Sequence, residues 1–163
     1  MAKIKKIAIF DMDGVLVDTS WAYKVLDCGK KINLAFWREN ERGLFFSDLL
    51  PTAQTYRELL ADPSVFVVIA TARLCHSSDH AFVDMKLGRP DAFIYRKEKD
   101  GNMGGAALKI RGLKKLMNLK QFKSIVDFEV YEDNISYLKD IVNFLFESGK
   151  NAKGIYVPSN QGH

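Results

Sequence analysis

The feature that most constrains this chain is a buried strand that runs directly into two acidic residues. The stretch IAIFDMDGVLVDT, residues 7–19, places four apolar residues before Asp11 and Asp13, and Gly14 follows. Carboxylates so close together repel each other, and each costs free energy when it leaves water. Proteins that accept this cost usually bind a cation between the acids or use the acids in a chemical reaction. The end of this strand is therefore the first candidate for a functional site.

Length and composition suit one globular domain over residues 1–163, because 47% of the residues are hydrophobic. The net charge of +4 favours anionic ligands without identifying one. Cys28 and Cys75 lie far apart and form no CxxC motif, which indicates neither a zinc site nor a disulfide framework. The apolar run near the start is too short for a signal peptide and none is long enough to span a membrane. We expect a cytoplasmic protein with no membrane association and no obligate protein partner.

Short apolar runs alternate with helical patterns along the chain. Strands are predicted at residues 4–10, 65–70, 92–95, 128–131 and 154–157, and helices at 51–62, 77–87, 106–117 and 135–148. Strands of continuous apolar residues between helices indicate a parallel sheet covered on both faces. The sequence thus predicts an α/β fold with a Rossmann-like three-layer α/β/α core.

Ligands collect at the carboxyl ends of the strands in such sheets. The polar residues that follow the predicted strands should therefore meet at one edge: Asp11, Asp13, Thr71, Arg73, Glu132 and Asp133. Several carboxylates with a backbone carbonyl make an all-oxygen site that suits Mg²⁺. The segment Thr71-Ala72-Arg73 offers a hydroxyl, backbone N–H groups and a guanidinium for a phosphate. Lys109 adds a positive charge, and with metal in place a carboxylate is a plausible nucleophile towards phosphorus.

Four segments of the sequence, DMDGVLVDT, IATAR, ALKIRGL and VYEDN, resemble in this order the four motifs of the haloacid dehalogenase (HAD) superfamily of phosphotransferases. The resemblance covers the chain apart from residues 21–50. It implies that Asp11 is the nucleophile. It also implies that Asp13 is the general acid and base and offers its main-chain carbonyl to Mg²⁺.

The same resemblance assigns roles to the later motifs. Thr71 would bind the transferring phosphoryl group, and Lys109 would offset its charge. Asp133 would hold Mg²⁺ with Glu132 assisting, either as a further metal ligand or by contacting a residue that is one.

Within the superfamily, the chain is most similar to the phosphatase halves of polynucleotide kinase-phosphatases and to the related RNA-repair-like group. Those relatives also have Arg after the second motif and paired acids in the fourth. Two departures are Ala72, where they usually have Gly, and Glu-Asp in place of Asp-Asp at residues 132–133.

The resemblance implies a Mg²⁺-dependent phosphomonoester hydrolase that acts through an aspartyl-phosphate. The preferred substrate is a nucleic-acid end such as a 3′-phosphate, or a nucleotide. The alternatives are a 5′-nucleotidase or general small-molecule phosphatase, and, from another class, a catalytically silent metal-dependent nucleic-acid-binding module. A phosphomutase or a dehalogenase ranks below these.

Residues 21–50 are interpreted as a small helical cap insert between the first and second motifs. Its aromatic residues either stack on bases, with Arg38 and Arg42 near a nucleotide backbone, or pack on the core, which we favour for most of them: Trp21, Tyr23, Phe36, Trp37, Phe45 and Phe46.

Four further residues and one loop receive a simpler interpretation. Asp18 and Thr19 are expected to cap a helix that begins near Ser20. His76 and His80 are expected to be surface residues. The polar loop 96–105 is expected to be a flexible basic loop near the active edge.

Overall fold

A computed structural model describes residues 3–20 and 47–159 of the chain. The predicted cap insert and its aromatic residues lie outside this part, except for residues 47–50. No helix among the described residues is long and apolar enough to cross a membrane.

The described part alternates strands and helices in the predicted order. Its elements are β1 (Lys6–Phe10), β2 (Val17–Asp18), β3 (Asp48–Leu49), α1 (Thr52–Leu60), β4 (Val65–Leu74), α2 (Ser77–Phe82), β5 (Ala92–Arg96), α3 (Gly105–Met117), β6 (Asp127–Glu132), α4 (Ile135–Glu147) and β7 (Asn151–Tyr156). A π-helical turn, Val83–Leu87, continues α2. The predicted strands and helices of the core are confirmed, and their ends shift by a few residues.

One strand is longer than predicted. β4 continues through Thr71 and Arg73 to Leu74 instead of ending at Ala70. Its pairing with β5 is irregular between Ala70 and Leu74, as in a β-bulge. The second motif therefore lies on a distorted strand end, where backbone groups turn away from regular pairing.

The main sheet is five-stranded and parallel, in the order β5-β4-β1-β6-β7. After β1 the chain adds β4 and β5 on one side, and then crosses to place β6 and β7 on the other. The strand order thus reverses beside β1, and a crevice opens between the carboxyl ends of β1 and β6. This is the position where an open α/β sheet binds its ligand.

Alternate residues of β1 point to two separate cores. Ala8 and Phe10 pack with α1 and α2 on one face, whereas Ile7 and Ile9 pack with α3 and α4 on the other. All four side chains are buried, which explains why the strand reads as a continuous apolar run. The predicted α/β/α layering is confirmed.

A second, two-stranded sheet was not predicted. β2 and β3 pair antiparallel, with Val17 opposite Leu49 and Asp18 opposite Asp48. Two residues per strand are too few to give an alternating pattern in the sequence. The pairing holds residues 18 and 48 side by side, although thirty positions separate them in the sequence.

The closeness of α3 to β5 yields a stability prediction. A Cβ at Gly112 would lie 2.6 Å from the Ile94 Cγ2 atom. Overpacking of this kind costs about 1–3 kcal/mol, so we expect Gly112→Ala to lower the free energy of unfolding in urea by about that amount. Gly104→Ala is the control, since a Cβ at Gly104 would meet no atom of the described residues within 4 Å, and it should change stability by less than about 0.5 kcal/mol. A Gly112→Ala protein as stable as the parent would contradict this packing.

Candidate active site

Three buried acids meet at the crevice between β1 and β6. Asp11 directly follows β1, Glu132 is the last residue of β6, and Asp133 comes next. Parallel pairing of Phe10 with Tyr131 brings these chain segments side by side, and the Asp11 N–H donates to the Tyr131 carbonyl at 3.0 Å. Each acid offers an oxygen within 4.8 Å of those of the other two. We call Asp11, Glu132 and Asp133 the acid cluster.

A buried lysine lies between two members of the acid cluster. The Lys109 Nζ atom donates to Asp11 Oδ1 at 3.0 Å and to Glu132 Oε2 at 2.6 Å. Lys109 is on the second turn of α3, and the start of that helix is packed closely against Tyr137 of α4. A Cβ at Gly105 would lie 2.6 Å from the Tyr137 ring, and the Lys109 Nζ is 5.5 Å from the centre of that ring. Gly105 thus permits the approach that brings Lys109 into the crevice.

Burial and mutual repulsion shape the protonation of these groups. Burial raises the pKa of Asp11 well above its usual value, and the negative charge of Glu132 raises it further, while Lys109 opposes both. A hydrogen bond between the Asp11 and Asp133 side chains also raises the pKa of Asp11. For Lys109, burial lowers the pKa, but Asp11 and Glu132 outweigh it, so the pKa rises above its usual value. The lysine therefore stays charged, and two carboxyl groups in contact share a proton or a cation.

Asp13 belongs to a different set of contacts, although only one residue separates it from Asp11. Its Oδ1 atom accepts from the Thr19 hydroxyl at 2.8 Å and from Arg73 Nε at 3.2 Å. The Thr71 hydroxyl lies 3.5 Å from its Oδ2 atom. We call Asp13, Thr19, Thr71 and Arg73 the Asp13 network.

A tight turn after β1 separates the two acids. The Met12 carbonyl accepts from the N–H groups of Leu16 and Val17, and the Gly14 N–H donates to the Val17 carbonyl at 2.9 Å. Gly14 has φ of +82°, which a residue with a side chain adopts only with strain. The turn explains the Asp-Gly pair in the sequence, and it directs Asp11 and Asp13 towards different partners.

The second motif lies beside the Asp13 network. Arg73, which the sequence suggested as a phosphate ligand, is almost fully buried, and its guanidinium also pairs with Asp79 at 3.4 Å. Burial lowers the pKa of Arg73, but Asp13 and Asp79 outweigh it and leave the pKa above its usual value. The Thr71 hydroxyl accepts from the Arg73 N–H at 3.1 Å, and the Ala72 carbonyl accepts from Arg96 Nε at 2.8 Å.

The simpler expectations concern Asp18, Thr19 and two histidines. The helix expected after Ser20 lies outside the described residues; the Thr19 hydroxyl is buried against Asp13, and Asp18 bonds the N–H and hydroxyl of Ser20. His76 and His80 are partly exposed, and neither belongs to the acid cluster. The His80 ring contacts Phe93, with ring centres 5.1 Å apart, and the His76 N–H donates to Asp79 Oδ2 at 2.8 Å.

Sequence reasoning missed two residues that support the site. Asp79 lies in the first turn of α2, it is fully buried, and burial raises its pKa. Ser159 donates to Asp133 Oδ2 at 2.6 Å. A signal for Ser159 existed, because a residue just after β7 lies beside the end of β6 in a parallel sheet. For Asp79 the sequence offers only a helix-start acid, which is the common capping pattern.

Three oxygen-bearing acids in mutual reach form a donor set that suits a hard cation such as Mg²⁺. Lys109, together with a cation held by the acids, can also offset the charge of an anionic group bound there. The residues predicted for metal binding and for nucleophilic attack are therefore in one place, apart from the Asp13 side chain, which points into its own network.

Comparisons with known proteins agree with this architecture. No protein-family model and no curated protein sequence matches the chain. Among solved structures, the HAD domain of the effector protein Lem4 from Legionella pneumophila is similar, with a TM-score of 0.62, 16% sequence identity, and coverage of 98% of this chain and 89% of that one. An inactive mutant of the same domain gives a TM-score of 0.62 at 14% identity, covering 98% of this chain and 88% of that one.

The fold is that of a HAD domain. Identity at this level establishes the three-dimensional arrangement and no more. The four motifs are short segments and the structural likeness covers the whole backbone, and both indicate the same fold.

The raised pKa of Asp11 predicts a gain in stability when its charge is removed. The unfolded chain loses this proton near pH 3.8, whereas the folded protein holds it to higher pH, so stability falls as pH rises through that window. We therefore expect metal-free Asp11→Asn to melt at a higher temperature than the parent at neutral pH, with the difference shrinking as the pH approaches 4. Asp140→Asn, at an exposed carboxylate, should change little. A less stable Asp11→Asn protein at neutral pH would contradict these electrostatics.

Proposed function

We propose that this protein is a Mg²⁺-dependent phosphomonoester hydrolase that acts through an aspartyl-phosphate on Asp11. The observation that carries the proposal is the placement of a buried Asp11 between Lys109 and the other members of the acid cluster, at the switch point of a HAD-like fold. A purely structural role would not require three acids to be buried together, since each costs free energy to desolvate.

The metal would be held by the side chains of Asp11 and Asp133 and by the main-chain carbonyl of Asp13. Glu132 already accepts from Lys109 at one oxygen and from the Asn134 N–H at the other, at 3.3 Å. We therefore assign Glu132 to holding Lys109, and we leave metal binding to the other two acids. When bound, Mg²⁺ supplies positive charge that reduces the repulsion between the acids and an anionic ester.

The proposed reaction has two steps. An Asp11 carboxylate oxygen attacks phosphorus, the bond to the leaving oxygen breaks, and Asp13 donates its proton to that oxygen. A water molecule then attacks phosphorus, Asp13 takes a proton from it, and Asp11 leaves as a carboxylate with release of inorganic phosphate. Thr71 and the backbone N–H groups beside it hold the phosphoryl oxygens, and Lys109 offsets their charge.

In this scheme Arg73 does not bind the phosphate, which is the role that the sequence suggested. Its guanidinium faces Asp13 and Asp79 at the core side of the site, so we assign it to positioning Asp13. Two nitrogens of the guanidinium contact Asp13 Oδ1 at 3.2 Å, and the Thr19 hydroxyl fixes the same oxygen. A general acid held by several donors keeps one orientation towards the leaving oxygen.

A nucleic-acid end, such as a 3′-phosphate, is the preferred substrate, and a free nucleotide is the second candidate. The resemblance to polynucleotide kinase-phosphatases and the net charge of +4 support this choice. Four cationic residues line a cavity beside α3, which favours a polymeric substrate over a small metabolite: Lys97, Lys99, Arg111 and Lys115.

Phosphate release from a matched panel tests the proposed activity. The panel contains 3′- and 5′-phosphorylated oligonucleotides, nucleotides and sugar phosphates, each with Mg²⁺ and with EDTA. We expect hydrolysis that needs Mg²⁺, and we expect Asp11→Asn to abolish it while Asp140→Asn retains it. Measurable turnover by Asp11→Asn would rule out the nucleophile assignment. No release from any ester by folded, Mg²⁺-loaded protein would instead favour the binding-module alternative.

The leaving group distinguishes a positioning role for Arg73 from phosphate binding. Departure of an alkoxide needs a proton, whereas a nitrophenolate leaves without one, so the general acid matters mainly for alkyl esters. We expect Arg73→Lys to lower kcat for an alkyl phosphate by about 10-fold or more, and for 4-nitrophenyl phosphate by less than about 3-fold.

The control for this experiment is Arg89→Lys, because Arg89 is exposed and pairs with Asp84 away from the site. It should change neither rate. Equal losses on the two esters in Arg73→Lys, together with weaker inhibition by inorganic phosphate, would show that Arg73 binds the phosphate group.

A further inference from the structure

A basic groove lies between β5, the loop that follows it and α3. Its cavity has a volume of about 250 Å³, and four cationic residues and one carboxylate line it, the rest being apolar or aromatic side chains and Gly112. The cations are Lys97, Lys99, Arg111 and Lys115. We call this surface the basic groove.

The loop that carries Lys97 and Lys99 is held in place at both ends. Asp100 accepts from the Lys97 N–H at 2.8 Å and from Arg111 at 2.7 Å. These hydrogen bonds hold the pKa of Asp100 below its usual value, so its charge is matched by Arg111. These contacts join the loop to α3, and the flexibility expected of residues 96–105 stays a prediction. The lysine side chains then carry the excess positive charge of the groove.

The basic groove is tied to the catalytic edge of the sheet. Arg96 donates to the Gly101 carbonyl at 2.8 Å and to the Ala72 carbonyl at 2.8 Å, which joins the loop to the second motif. On the opposite wall, Leu108 lines the groove next to Lys109 of the active site. From Leu108 to Lys115 the wall extends for about 10 Å at the usual helical rise. The groove therefore begins beside the site and leads away from it along α3.

Its composition matches one class of ligand. Grooves that follow single-stranded nucleic acid combine a row of cations for the backbone with aromatic side chains near the bases. Here the Phe93 and Tyr95 rings pack against His80 and each other, and the Lys97 ammonium lies 5.6 Å from the centre of the Tyr95 ring, so the row of cations carries the match. A free nucleotide has no phosphodiester linkage to contact cations spread along the helix.

We propose that the basic groove binds the phosphodiester backbone of a single-stranded nucleic acid whose phosphorylated end lies at Asp11. The placement of that end rests on the proposed function, whereas binding along the groove does not. Exposed Lys97, Lys99 and Lys115 contact backbone phosphates, and each contact releases a counterion from the strand.

Binding without turnover tests the groove. The probe is a dye-labelled single strand of about 12 nucleotides with no terminal phosphate, and fluorescence anisotropy gives Kd over a range of salt concentrations. We expect the triple variant Lys97→Gln, Lys99→Gln and Lys115→Gln to bind about 10-fold or more weakly at low salt. Its slope of log K against log salt should be smaller by about 2, since each lost phosphate contact removes about 0.7.

A control triple variant carries the same loss of charge elsewhere. Lys120, Lys123 and Lys139 are exposed and do not line the basic groove. Their replacement by Gln should leave Kd within about 2-fold of the parent, apart from a small effect of net charge. Thermal melting of both variants confirms that each is folded.

The remaining outcomes separate the two proposals. Equal losses in the groove and control variants, or no binding by the parent protein, would overturn the groove. Displacement of the strand by polyglutamate at matched charge concentration as readily as by unlabelled strand would show a general polyanion surface and would also overturn it. Phosphate release from 4-nitrophenyl phosphate by the parent tests the hydrolase separately, because that ester is too short to reach along the groove.

Discussion

The buried ammonium of Lys109, in contact with Asp11 and Glu132, is the interaction on which the site depends. Three acids at the mouth of a buried strand would repel each other, and desolvation would push them towards their neutral forms. One lysine with its charge held in place offsets part of this cost and aligns two of the acids. It also ties α3 to β1 and β6, so the geometry of the site and the packing of the helix on the sheet are parts of one arrangement.

A second buried cation does the same for the neighbouring acid. Arg73 joins Asp13 to Asp79, and therefore links the turn after β1 to the start of α2. Asp11 and Asp13 are two positions apart, yet they contact different cations on different layers of the fold. Separate environments of this kind allow two neighbouring carboxyl groups to take different roles.

The sequence was sufficient for the core and for the residues of the acid cluster, but not for all the residues that support them. Continuous apolar strands predicted the parallel sheet, and the strand-end rule alone brought Asp11, Glu132 and Asp133 together. The strand-end rule did not predict the burial of Arg73, because an arginine at a strand end can equally bind a phosphate or pair with a buried acid.

Contacts made by isolated residues were harder to predict. Thr19 contacts Asp13 through the geometry of a tight turn, which has no period in the sequence, whereas Ser159 contacts Asp133 as the strand-end rule would have allowed us to predict. The short pairing of β2 with β3 was missed for the same reason. Sequence patterns report which face of an element is buried, whereas these contacts depend on where elements end.

The short pairing of β2 with β3 also affects how the segment between these two strands is closed. Because Asp18 lies opposite Asp48, the two ends of the intervening segment are held side by side next to the main sheet. The entropy of closing such a loop grows only slowly with its length, so changes there are tolerated at modest cost in stability. The two-stranded sheet is therefore a place where the length of the chain can change while the order of the five main strands stays the same.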